Sequence, residues 1–110
     1  MGYRSDVAYR IMFKNKTVLN EFIALVMVKG GYVVKALKEC EIEVENDNSR
    51  ECYINFFASD VKWYPEYEDV KGHHALMESI VEWYPEGSAY YFLRIGEESD
   101  DVDEQHDGDG

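Results

Sequence analysis

Glu39-Cys40-Glu41-Ile42-Glu43-Val44-Glu45-Asn46, or ECEIEVEN, alternates carboxylates with small or apolar side chains. A period of two belongs to a strand with one buried face and one wet face. Cys40, Ile42 and Val44 point one way; Glu39, Glu41, Glu43 and Glu45 point the other. A row of four like charges also repels an incoming strand, so this segment is expected at a sheet edge.

Reading outward, Asn46-Asp47-Asn48-Ser49 supplies turn chemistry, and RECYINFFASDVKW (50–63) returns as the second arm of a hairpin. Upstream, DVAYRIMFK (6–14) alternates Val7, Tyr9, Ile11 and Phe13 with more polar neighbours, which predicts a first strand. Between the two, Thr17 is the expected N-cap of VLNEFIALVMVKGG (18–31). Leu19, Phe22, Ile23 and Val26 share one face of that helix, and Gly30-Gly31 stops it. Residues 32–38 offer one or two more helical turns. Near Asp69 a second main helix opens, with Val70, His74, Met77, Val81 and Tyr84 as its stripe. SAYYFLRI (88–95) forms the last strand. The order β-α-β-β-α-β predicts an α+β, ferredoxin-like fold: a four-stranded antiparallel sheet, two helices on one face, first and third strands central.

The tetrapeptide WYPE occurs at 63–66 and again at 83–86. Proline disfavours helix in the residue before it, so Tyr64 and Tyr84 mark places where regular structure ends. The copies bracket the second main helix and are boundaries, not a structural repeat.

Of the 23 acids in the 110-residue chain, eight lie from Glu97 onward, where there is no Lys or Arg. The body, residues 1–96, therefore holds fifteen acids against eleven bases, and it is expected to form one domain. Residues 97–110 are expected to be a disordered acidic tail. No leader or membrane-spanning stretch is read in the sequence. In the hairpin register Cys40 falls opposite Ile54 or Phe56, so it and Cys52 are expected to be reduced, buried thiols.

Chemistry is sparse. His73 and His74 project about 100° apart on a helix, and His74 with Glu78 supplies only two metal ligands. One histidine is expected against the sheet and the other in solvent. No nucleophile triad, phosphate loop or zinc knuckle is present, so no catalytic residue, cofactor or metal is assigned. If Tyr91, Leu93 and Ile95 face the helices, the open sheet face carries Arg10, Met12, Tyr53, Phe57, Tyr90, Phe92 and Arg94. An aromatic, arginine-bearing open sheet invites an RNA-binding reading. However, the acidic body lacks the cations that neutralise phosphates, so direct nucleic-acid binding is not expected. Tyr, Phe, Met and Arg are instead enriched at protein interfaces. Those seven residues, with Trp63 and Tyr64 of the adjoining loop, form the expected contact surface.

MGYRSDV (1–7), DVKWYPEYEDVKGHH (60–74) and YYFLRIGEESDD (90–101) resemble small uncharacterised proteins of tailed bacteriophages that begin Met-Gly-Tyr-Arg-Ser-Asp-Val. The resemblance implies residence in the cytoplasm of an infected bacterium and transfers no catalytic residue; with no catalytic motif in the sequence, the chain is expected not to be an enzyme. It also implies action by binding a host protein; the composition of the open face itself equally allows self-association. The alternative is an acidic DNA mimic that inhibits a host nucleic-acid-binding protein, displaying Glu39, Glu41, Glu43, Glu45 and the tail.

Overall fold

The computed structural model of the chain describes residues 2–45 and 52–108; the expected turn at 46–49 lies outside them. In chain order these residues form β1 (Ser5–Phe13), α1 (Lys16–Lys29), α2 (Tyr32–Lys38), β2 (Glu41–Val44), β3 (Cys52–Val61), α3 (Glu68–Trp83), β4 (Ala89–Ile95) and β5 (Val102–Gly108). The sheet is antiparallel in the order β2-β3-β1-β4-β5. The fold is α+β, with β1 and β3 internal and the glutamate-bearing β2 at an edge, as the alternation requires. It is not the four-stranded, two-helix ferredoxin-like arrangement expected from the sequence, because three helices and a fifth strand are present.

That fifth strand replaces much of the expected disordered tail. Val102 pairs with Ile95, and the ladder runs to Gly108 opposite Ala89. Composition misleads here because a strand pinned by backbone hydrogen bonds needs little apolar surface of its own. An outside clamp supplies the remaining hold. Asp101 accepts from the Tyr3 hydroxyl at 2.6 Å and from the Arg94 guanidinium at 2.8 and 3.2 Å. Arg94, then Tyr3, holds the Asp101 carboxyl below its ordinary pKa, and the Asp101 hydrogen bond holds Arg94 above its own. Tyr64 of the first WYPE joins this cluster, its hydroxyl accepting from the Tyr3 backbone N–H at 2.6 Å.

Buried Val7, Tyr9, Ile11 and Phe13 put one parity of β1 in the core with Cys52, Ile54 and Phe56 of β3. Phe13 meets Phe22 of α1, while Tyr9 and Phe56 both meet His73 of α3, so the helices share that face. The cap of α1 is Asn15, two residues before Thr17, and its side chain accepts from the Val18 N–H at 3.0 Å. In α3 the buried residues are Val70, Gly72, His73, Leu76, Met77, Ser79 and Ile80, so the stripe is rotated from the expected one.

Gly72 lets α2 and α3 approach. A Cβ there would stand 2.5 Å from the Tyr32 carbonyl oxygen, which belongs to backbone and cannot swing aside. Gly72→Ala is therefore expected to destabilise the fold by ~1–3 kcal/mol in urea denaturation, even though alanine favours a helix by about 1 kcal/mol. Unchanged stability would show that the two helices slide apart freely.

Candidate functional site

Two places concentrate unusual side chains. The first is inside. β1 places Tyr9, α3 places His73, and the turn after α2 places Glu39 and Cys40 around them. The Tyr9 hydroxyl is 2.6 Å from His73 Nδ1, and His73 Nε2 is 2.7 Å from Glu39 Oε1. An ionised carboxylate can only accept, so Nε2 carries the proton and Nδ1 accepts from Tyr9. The Cys40 thiol, 3.3 Å from the Tyr9 oxygen, donates to the Ala36 carbonyl at the same distance. Every member of this chain is satisfied.

The electrostatics of this cluster oppose nucleophilic or acid-base work. Burial pushes the Cys40 thiol up to about 11 and raises Tyr9 far above the ordinary phenol range. A nucleophile needs the opposite shift. Burial also lowers His73, outweighing the raising effect of Glu39, and burial lowers His74 as well. The cluster is a polar pin that ties three elements together, buried at Tyr9 and His73 and exposed at its Glu39 end.

The structure thus corrects two expectations. Glu39 does not stand in a row with Glu41, Glu43 and Glu45; it turns toward the helices to hold His73, before β2 begins. Neither histidine is in solvent: His73, off the expected stripe, is buried, and His74 is half-buried between Trp63 and Phe92 at ring distances of 6.0 and 5.2 Å. Neither Cys40 nor Cys52 is in a disulfide. Among the described residues no three His, Cys, Asp or Glu side chains are grouped to hold a metal. No described helix is long and apolar enough to cross a membrane.

The second place is the sheet face turned away from the helices. Its β1 and β3 members are as expected: Arg10 and Met12 alternate with the core residues of β1, and Tyr53 and Phe57 with those of β3. Phe57 is 72% exposed. The β4 members are not as expected. Tyr9 pairs with Phe92 and Ile11 with Tyr90, so Tyr90, Phe92 and Arg94 lie on the helix side. Phe92 is buried there, and Arg94 reaches Ser5 and Asp101. Trp63 is likewise withdrawn, packing on Phe56, His73 and Phe92. In their place the open face receives Tyr91, Leu93 and Ile95.

This face is built from tall walls around a short floor. Ala8, at the middle of the central strand, pairs with Phe57 on one side and Leu93 on the other. Its methyl group leaves a groove of about 620 Å³, bounded by Arg10 and Asn55 on one side and by Tyr91, Leu93, Glu104 and His106 on the other. Tyr91 is half exposed and stacks on His106 of β5 at 5.7 Å. A polar strip borders the groove: Arg10 donates to Asn55 at 2.7 Å, Asn55 to Glu43 at 2.9 Å, and the guanidinium lies 4.1 Å over the Tyr53 ring. Ile95 and Val102 extend the apolar surface outward. Residues from all five strands meet here, and the helix layer covers none of them.

Set beside known proteins, the chain matches no family model, no curated protein and no solved structure.

Proposed function

We propose that this chain is a non-enzymatic protein-binding module and that the open sheet face is its contact surface. The observation that carries the reading is the uncovered groove over Ala8, walled by Tyr91 and Leu93 and bordered by the Arg10–Asn55–Glu43 strip, with exposed Phe57 paired beside Ala8. Contiguous exposed apolar surface rimmed by polar groups is the usual form of an interaction site. Tyr and Arg in such a setting carry disproportionate binding energy. The partner is a protein surface that brings apolar side chains to the groove. The phage resemblance suggests a bacterial host protein, and a further copy of the chain meets the same description.

The test is a double variant, Phe57→Asp with Tyr91→Asp. Each buried aromatic anchor is worth about 2 kcal/mol or more, so association should weaken at least ~100-fold. The melting temperature should stay nearly unchanged, because both rings point away from the core. Affinity capture from bacterial lysate, followed by titration of the captured protein, reads the effect. Equal binding by the folded double variant would refute the open-face reading.

A further inference from the structure

The last two turns of α1 are apolar on nearly every side. Phe22 and Val26 enter the core, yet Leu25, Met27 and Val28 remain outside it, and Val28 is 86% exposed. A helix that is apolar all round ordinarily has neighbours all round. Tyr32, at the start of α2, is also exposed, with Lys35 over its ring at 5.5 Å, and Lys29 and Lys38 are exposed in the same segment. The charge distribution is equally uneven. Residues 14–38 contain five lysines and one acid, Glu21, a net of +4. The rest of the −12 chain holds six bases and twenty-two acids, a net of −16.

The open sheet face is the complement of this surface. Its centre is apolar, and its charged residues are Asp6, Glu41, Glu43 and Glu104 against Arg10, a net of −3 among the described strands. The helices lie on the other side of the sheet, so the two surfaces look in opposite directions. One molecule cannot satisfy its own pair, but a second copy can. We propose that the α1 tip of one copy docks head to tail on the open sheet face of the next. This rests on the open-face reading above and names its occupant.

In that arrangement Leu25 and Val28 supply the apolar side chains for the groove, and Lys29 and Lys35 meet the carboxylates around it. A sheet-to-sheet or tip-to-tip dimer would instead set like charges together, which costs binding energy. The overall −12 does not forbid the contact. At physiological salt the screening length is ~8 Å, well below the 44 Å long axis, so local sign decides. A head-to-tail contact between two different patches leaves one of each unused, so it propagates into rings or filaments.

Val28→Glu disables the tip and Phe57→Glu disables the face, and both positions are too exposed to disturb the core. Sedimentation equilibrium from micromolar to millimolar protein, with circular dichroism to confirm folding, separates the outcomes. The proposal expects wild-type mass to climb past two chains, while each variant alone stays at the 12.8 kDa of one chain. An equimolar mixture of the variants should form a species of two chains and nothing larger, because one intact tip and one intact face remain. If Val28→Glu still dimerises and Phe57→Glu does not, the sheet pairs with itself; the head-to-tail proposal falls and the open-face reading stands. If Phe57→Glu still associates, the open-face reading itself falls. Wild type that stays at one chain mass throughout overturns the second copy as occupant. Phosphatidylserine vesicles that then retain wild type but not Val28→Glu would assign the helix tip to a membrane surface.

Discussion

A chain ending at Gly96 is expected to lose ~3 kcal/mol or more of stability, to melt roughly 10–20 °C lower, and to aggregate. The loss begins with the ladder between β4 and β5, since each backbone hydrogen bond contributes ~0.5–1.5 kcal/mol net. It continues at Arg94, whose guanidinium would keep Ser5 but lose Asp101. Aggregation follows because AYYFLRI would become an unprotected edge strand with a single charge. The informative control neutralises the strand without removing it: Asp103→Asn, Glu104→Gln and Asp107→Asn together, with Asp101 kept. If residues 97–108 acted only as a solvated acidic tail, neutralisation and deletion would reduce solubility alike and neither would lower the melting temperature. If β5 is structural, deletion lowers it and neutralisation leaves it near wild type. Differential scanning calorimetry on the two proteins separates these results.

Why β5 is hard to read from sequence is also why the β4 face is hard to read. VDEQHDG has no apolar alternation, so nothing local marks it as a strand; it is held by backbone pairing to β4 and by the Asp101 clamp, one arm of which, Tyr3, lies at the other end of the chain. β4 has the converse difficulty. In AYYFLRI both parities are apolar, and the one polar marker, Arg94, points toward the helix layer because Asp101 and Ser5 receive it there. Taking an arginine as the outward marker therefore inverts Tyr90, Phe92 and Arg94 against Tyr91, Leu93 and Ile95. By contrast β1 and β3 carry alternation strong enough to fix Arg10, Met12, Tyr53 and Phe57 on the open side without any partner information. Glu39 marks the limit of pattern reading: it continues the alternation of β2, yet its carboxylate is drawn to His73, thirty-four residues away. A histidine in the core needs an acceptor, and that requirement outweighs strand parity.

His73→Ala is expected to destabilise the protein by ~3 kcal/mol or more, because it opens a cavity and strands the Tyr9 hydroxyl in the core. Tyr9→Phe should cost less, about 1–2 kcal/mol, since it removes one hydrogen bond while keeping the ring that stacks on Phe56 at 5.2 Å. The same chain sets the dependence on pH. Burial holds His73 and His74 below the ordinary histidine value, despite the pull of Glu39 and Asp69 on the first and of Glu78 and Asp103 on the second. Above about pH 6.5 both rings are neutral folded or unfolded and contribute no slope. Below it the unfolded chain takes up protons that the folded chain refuses, so stability falls as pH drops toward the folded-state values. At the alkaline end the sign reverses. The Cys40 thiol is pushed up to about 11 from an ordinary value of 9.0, so its share of stability is whole below pH 9 and lost as pH rises through 11. Tyr9, raised further, adds a loss of the same sign that begins near pH 10. Urea denaturation across this range should therefore show a plateau between neutrality and pH 9 with a decline on each side. In His73→Gln the acid decline should become shallower while the alkaline one persists. An acid limb as steep as wild type in that variant would mean that carboxylates such as Asp101, and not the buried imidazole, govern acid unfolding.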